Sequence, residues 1–218
     1  MNTLVLGTIA DERQRRFRSR ADQGSEAEQV LADALASHAA AAIGEQVRTA
    51  YEFAKSLDYE HPGLSSASYL AHPIRVAELM LTLPRTITGE GVVLALLHNV
   101  FEHTSVSRAT MSERFGSHIA DAIDVLTVDR SQVSPEYTAG YYDGIRLAPL
   151  WVQQVKVLDK FDNLFLLCLN PSATVRAAYL ADIEHYVVPM AQACLPDLVS
   201  YLRALIDDCR NTGYLQEA

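Results

Sequence analysis

The segment Val92-Val93-Leu94-Ala95-Leu96-Leu97 runs without a polar residue and then breaks into His98-Asn99-Val100-Phe101-Glu102-His103-Thr104. An apolar run of this length fits a buried strand or a buried helix by pattern alone. Its centre is Ala and Leu, and the rest of the chain has neither period-2 alternation nor Asn-Gly hairpin signals, so the helix is the better reading. A buried helix that ends in a cluster of polar side chains is costly unless each polar group is paired. Read as one continuous helix, His98 and Glu102 share a face, and Asn99 pairs in the same way with Glu102 and His103.

The flanking sequence is also helical in character. Glu26 to Leu57 is rich in Ala, Glu, Gln and Leu, with Ser25 and Glu28 spaced as a capping box and Gly44 as a kink point. Residues 58–67 read as a loop. A helix follows over 68–83, with Pro73 expected in its first turn and Pro84 ending it. Arg108 to Phe115, closed by Gly116, and His118 to Leu126 give two short helices. Residues 127–140 read as a polar loop. Trp151 to Cys168 is a long amphipathic stretch, Ser172 caps a helix to about Tyr186, and a last helix ends near Arg210. The expectation is an all-α bundle, divided into a basic arm over residues 1–25, which holds Arg13, Arg15, Arg16, Arg18 and Arg20, and one helical domain over 26–218.

Composition narrows the function. With 218 residues the chain buries a real core. Its net charge of −9 argues against general nucleic-acid binding, which requires a positive surface. A small phosphorylated ligand needs only local positive charge or a metal. Three scattered cysteines suit a reducing compartment, no apolar run is long enough for a membrane span, and the N-terminal charges follow rather than precede the apolar patch, so a cytoplasmic location is expected. The apolar C-terminal region, 187–206, fits either the core or a second subunit.

Two further segments carry polar groups inside apolar surroundings. Tyr69-Leu70-Ala71-His72-Pro73-Ile74-Arg75-Val76-Ala77 places His72 just before a proline, and Val155 to Leu164 sets Asp159 and Asn163 one turn apart on a strongly apolar helix. A buried carboxylate there needs a cation, either Lys156 or Lys160 or a metal. Two imidazoles, a carboxylate and an amide oxygen suit Mn²⁺, Fe²⁺ or Zn²⁺.

These segments, with Phe115-Gly116, Leu126-Thr127 and Lys156 through Asn163, resemble in order and separation the hydrolase domain of RelA/SpoT-type alarmone enzymes and the stand-alone small alarmone hydrolases. Those are members of the HD superfamily. The resemblance covers about residues 46–170 and implies an HD-domain helical bundle that removes the 3′-pyrophosphate of (p)ppGpp with a divalent metal, Mn²⁺ first. By position it implies His72, His98, Asn99 and Asp159 as metal ligands and Glu102 and His103 as the pair assisting the water. Asn163 would contact the nucleoside, with Tyr69 and Lys156 as further substrate contacts. The sequence departs from the pattern at two of these positions. Asn99 stands where the family has Asp, which leaves the metal with about one more uncompensated charge and weakens its retention. His103 stands where the family has an acid, and Gly63 to Ala67 lacks the family's basic pair. A metal-dependent nucleotide phosphohydrolase is therefore set against a degenerate relative that binds a nucleotide or a protein without hydrolysis.

Overall fold

The computed structural model describes residues 6–22, 25–37, 41–132 and 134–216. These form thirteen α-helices with short 3-10 and π turns, and no strand occurs among the described residues. The first four are α1 (Ile9–Ala21), α2 (Ser25–Ser37), α3 (Ala41–Lys55) and α4 (Ser66–Thr82). Next come α5 (Gly89–Leu97), α6 (Val100–His103), α7 (Arg108–Phe115), α8 (Ser117–Leu126) and α9 (Pro135–Leu147). The last are α10 (Leu150–Leu166), α11 (Ala173–Asp182), α12 (Val188–Cys194) and α13 (Val199–Thr212).

The centre of the bundle is α10. Eleven of its residues are buried, on every side of the helix, as expected of a helix with partners all round. It packs on α4 and α5 at one side and on α1, α12 and α13 elsewhere. Helix α5 is buried at every residue except Glu90. Gly91 allows its close approach to α4, since a β-carbon there would fall 2.5 Å from Met80 Cε. Gly116, at φ 88°, closes α7 in a conformation that favours glycine.

Several expectations are corrected. Residues 26–57 form two helices, α2 and α3, and Gly44 lies inside α3. Ser25 is helical rather than a cap, and the Asp22 carboxylate accepts from the Glu26 amide instead. Helix α4 starts earlier than expected because Ser65 caps it by accepting from Ser68 N, so Pro73 lies within the helix and not in its first turn. The expected loop 127–140 ends at Ser134, which caps α9 with Pro135 in the first turn. The helix from Ser172 passes through a π turn at Ile183–Val187 into α12, with Pro189 near that helix's start.

The basic arm is not an arm over residues 9–21. Helix α1 packs on α10 and α4, and Arg13, Arg16 and Ser19 form its buried face. Arg16 is wholly buried, with Nε donating to Asp162 Oδ1 at 2.7 Å and Nη1 to Glu12 Oε2 at 2.7 Å. Arg13 pairs with Asp208 and donates to the Phe165 carbonyl. The buried Asp162 on α10 and the partly exposed Asp208 on α13 pair with these guanidinium groups, which would be costly to bury unpaired.

Candidate metal centre

His72 on α4, His98 at the end of α5 and Asp159 on α10 converge where these three helices meet. One donor atom from each lies within 4.8 Å of the other two. The His72 and His98 rings meet edge to face with centroids 5.3 Å apart. The outer nitrogen of each ring is engaged. His98 Nδ1 donates to the Ala95 carbonyl at 2.7 Å, and His72 Nδ1 stands 2.8 Å from Asp162 Oδ2. That leaves both Nε2 atoms buried and without a hydrogen-bond partner. They lie 3.3 Å (His72) and 3.8 Å (His98) from Asp159 Oδ1, near it but out of hydrogen-bond geometry. Two orphaned imidazole nitrogens beside a carboxylate are unsatisfied as protein alone and fit a divalent transition metal.

Asp159 is 4% exposed and heavily contacted. Its Oδ1 accepts from Asn163 Nδ2 at 2.7 Å, and Lys156 Nζ and Lys160 Nζ stand 3.2 and 3.5 Å from Oδ2. Burial pushes this carboxyl up, but Lys160, Lys156 and the two imidazoles outweigh it and hold it well below the usual carboxylate range. Burial pushes His98 down to about 4, so the ring is neutral and able to act as a ligand at pH 7. His72 moves the other way, because Asp159 and Asp162 outweigh its desolvation and raise it.

The other sequence-predicted residues fall around this cluster. Asn99 follows His98 at the turn between α5 and α6, with φ −104° and ψ 5°, beside the Tyr69 hydroxyl. The helix breaks at this turn, so His98 and Glu102 do not share one continuous helix face as the spacing suggested. Glu102 Oε1 accepts from Val128 N at 3.1 Å and Oε2 from Arg130 Nη2 at 2.7 Å, with only 7% of the Glu102 side chain exposed. His103 Nδ1 donates to the Glu60 carbonyl at 2.9 Å, while Glu60 N donates back to the His103 carbonyl at 2.8 Å. The His103 ring packs on Tyr69, with centroids 4.7 Å apart, and Tyr69 also stacks on Tyr59. The surface depressions lined by Glu184, Val188 and Arg203, and by His185 and Tyr186, lie at α11–α13 and hold none of these groups.

Sequence reasoning missed Asp162, Arg16, Arg75 and Arg130. Arg130 is 71% exposed, so its pair with Glu102 is a solvent-screened contact. Arg130→Ala is therefore expected to change unfolding free energy by less than about 1 kcal/mol, measured by urea denaturation. A larger loss would mean that Glu102 depends on Arg130 for more than this contact.

Two histidines and a distant aspartate thus meet in a helical bundle and could hold a metal ion. Known proteins resemble the chain in sequence and in fold. The guanosine-3′,5′-bis(diphosphate) 3′-pyrophosphohydrolase of Aquifex aeolicus (strain VF5) is 32% identical over 124 residues, 55% of this chain and 17% of that protein. MESH1 of Drosophila melanogaster, which bears the same enzyme name, is 31% identical over 103 residues, 47% of this chain and 57% of its own length. The matched segment thus spans less than two thirds of either relative. The solved structure of a metazoan SpoT ortholog, described as hydrolysing ppGpp, superposes with a TM-score of 0.62 at 21% identity, covering 82% of this chain and 99% of that one. A Listeria monocytogenes EGD-e structure gives a TM-score of 0.52 at 22% identity, covering 69% and 96%. No family model matches the chain. At these identities the structures establish the all-α HD-type fold, and the sequence relatives make the chain similar to (p)ppGpp pyrophosphohydrolases.

Proposed function

We propose that this chain is a metal-dependent nucleotide pyrophosphohydrolase that acts on (p)ppGpp or a closely related phosphorylated nucleotide. The observation that carries this reading is the pair of buried, unpartnered Nε2 atoms of His72 and His98 facing Asp159. His72, His98 and Asp159 would hold the cation, with the Asn99 amide oxygen as a fourth, neutral donor. Mn²⁺ is the first choice, and Fe²⁺ or Zn²⁺ suit the same donors. Such a cation, when bound, supplies Lewis acidity toward a phosphoryl oxygen and acidifies water.

The chain's own residues would divide the remaining work. Glu102 would accept a proton from water. Both of its oxygens are engaged, by Arg130 and by Val128 N, so its aim is fixed. His103 donates from Nδ1 to Glu60, which leaves Nε2 as the lone-pair nitrogen of the neutral ring and a relay for a proton toward the leaving group. Lys156 and Lys160 set positive charge beside Asp159, where phosphate oxygens would gather. Asn163, fixed by its bond to Asp159, and Tyr69, fixed by stacking, would contact the nucleoside. We place the chain in the cytoplasm, in keeping with three buried free thiols, and count α1 with the helical unit from residue 26 onward.

The same engagement of Glu102 favours one alternative, a site that binds nucleotide without turning it over. Metal content of protein purified without chelator, before and after Mn²⁺ addition, decides the first point. Pyrophosphate release from ppGpp and a nucleotide panel decides the second. Fewer than about one metal per ten chains after loading would sink the metallohydrolase reading, because a built site binds metal far more tightly than that. Metal uptake without release from any nucleotide would favour the binding reading. Asn99→Asp adds one negative charge next to His98 and is expected to tighten Mn²⁺ binding about tenfold in a calorimetric titration. An unchanged Kd would place Asn99 outside the ligand shell.

A further inference from the structure

Asp162 lies three residues beyond Asp159 on α10, outside the ligand set, and is wholly buried. Its Oδ2 stands 2.8 Å from His72 Nδ1 and accepts from Arg75 Nη2 at 2.9 Å. Its Oδ1 accepts from Arg75 Nε at 3.1 Å and from Arg16 Nε at 2.7 Å. A carboxylate gripped by two guanidinium groups is an acceptor only, so the proton between it and the ring belongs to His72 Nδ1. The neutral ring then carries its lone pair on Nε2, the atom that faces Asp159 and His98 Nε2. We infer that Asp162 is a positioning residue for His72, fixing the tautomer and ring plane that turn Nε2 toward the cation site. Arg16 of α1 and Arg75 of α4 hold Asp162 in place. This inference rests on the metal-site reading above.

Asp162 adds no net charge toward the cation. Arg16 and Arg75 are balanced by Asp162 and by Glu12, which pairs with Arg16. The device therefore works through orientation, and a simple counter-ion role for Asp162 makes a different prediction. The double variant Arg75→Leu/Asp162→Leu removes one buried cation and one buried anion and leaves Arg16 paired with Glu12. It keeps charge balance while deleting the acceptor for His72. Arg75→Leu alone leaves Asp162 held by Arg16 and still facing His72.

The test uses the full chain, with Mn²⁺ calorimetry on each protein and long-range ¹H–¹⁵N spectra of the metal-free protein at a pH where His72 is neutral. The expected result is a wild-type His72 carrying its proton on Nδ1. The double variant should lose that preference and bind Mn²⁺ roughly 10–100-fold more weakly, the usual cost of losing a carboxylate behind a ligand histidine. Arg75→Leu alone keeps the acceptor for His72 and should keep the Nδ1–H tautomer. A folded double variant with wild-type Mn²⁺ affinity would overturn the inference, as would a wild-type His72 protonated on Nε2. Should the double variant not fold, Asp162→Asn keeps the volume but offers either an oxygen or an NH₂ to Nδ1, and its His72 should show a mixed tautomer; an unmixed Nδ1–H ring with full Mn²⁺ affinity would again overturn it. A wild-type chain that takes up no Mn²⁺ would end the metal reading, while the metal-free spectra would still decide the role of Asp162.

Discussion

Asp159→Asn is expected to abolish metal uptake and to destabilise the fold in the same step. Among the described residues Asp159 is the carboxylate that stands beside the Nε2 atoms of both His72 and His98, and the other proposed donors are neutral. Replacing it with an amide leaves a divalent cation with no charge neutralisation from its ligands, so Mn²⁺ occupancy should fall below detection and pyrophosphate release should drop by about two orders of magnitude or more. The stability loss has a separate source. Lys156, 4% exposed, stands 3.2 Å from Oδ2, and Lys160, somewhat more open, stands 3.5 Å from it. An amide oxygen can accept hydrogen bonds but cannot neutralise two ammonium groups. Removing one partner of a buried ion pair costs about 3–5 kcal/mol, and the partial exposure of Lys160 favours the lower end. Thermal and urea unfolding in EDTA reads the second effect alone, and elemental analysis after Mn²⁺ loading reads the first. Wild-type values in both would place Asp159 outside the cation site and make its lysine contacts incidental.

The same helix shows how far the sequence could be read. Asp159 and Asn163 were visible because they interrupt an apolar stretch one turn apart, and the resemblance to alarmone hydrolases gave them roles. Asp162 lies in the same segment, but spacing along one helix does not say which neighbouring helix each side chain meets. One signal was present: with Lys156 and Lys160 of the same helix serving Asp159, a second buried carboxylate needs cations from outside it. The matching cations sat in α1, where Arg13, Arg16 and Ser19 repeat every three residues as a buried face would. Arginine is rarely fully buried, so an arginine-rich helix reads as surface until its partner is known. Helix α9 was hidden for a local reason, because Gly140 and Gly144 lower its helix propensity, and only Ser134-Pro135 marked its start. Helix α5 was legible because its burial leaves a nearly unbroken apolar run, and α10 because its stretch is long and amphipathic. The break at His98–Asn99 was not, since nothing in that run stops a helix, and it is this break that separates His98 from Glu102.

Acid should unfold the metal-free protein earlier than its carboxylates alone would dictate, and His98 is the reason. An imidazole in an unfolded chain titrates near 6.5, whereas burial holds His98 down to about 4 in the fold, with Asp159 opposing the shift and His72 adding to it. Between these values the unfolded chain binds the proton and the fold does not, so stability falls as pH drops from 6.5 to 4 and His98 contributes no further change below that. The shift corresponds to about 3 kcal/mol. Asp159 and Asp162 are held below their usual values, so their contribution is present above about 4 and is lost only at lower pH. His72 is raised, and its contribution is lost as pH rises above 6.5, outside the acid window. His61 is also pushed down by burial and acts in the same direction as His98, which makes a difference measurement necessary. Urea unfolding in EDTA at pH 7, 5.5 and 4.5, on wild type and His98→Gln, isolates the term. The wild type should lose about 2 kcal/mol more than the variant across this range, most of the His98 contribution. Parallel curves would mean that His98 is already charged or solvated in the fold, and a charged imidazole is no ligand. Repeating the titration with Mn²⁺ should steepen the wild-type curve alone, because cation and proton compete for the same Nε2 lone pair.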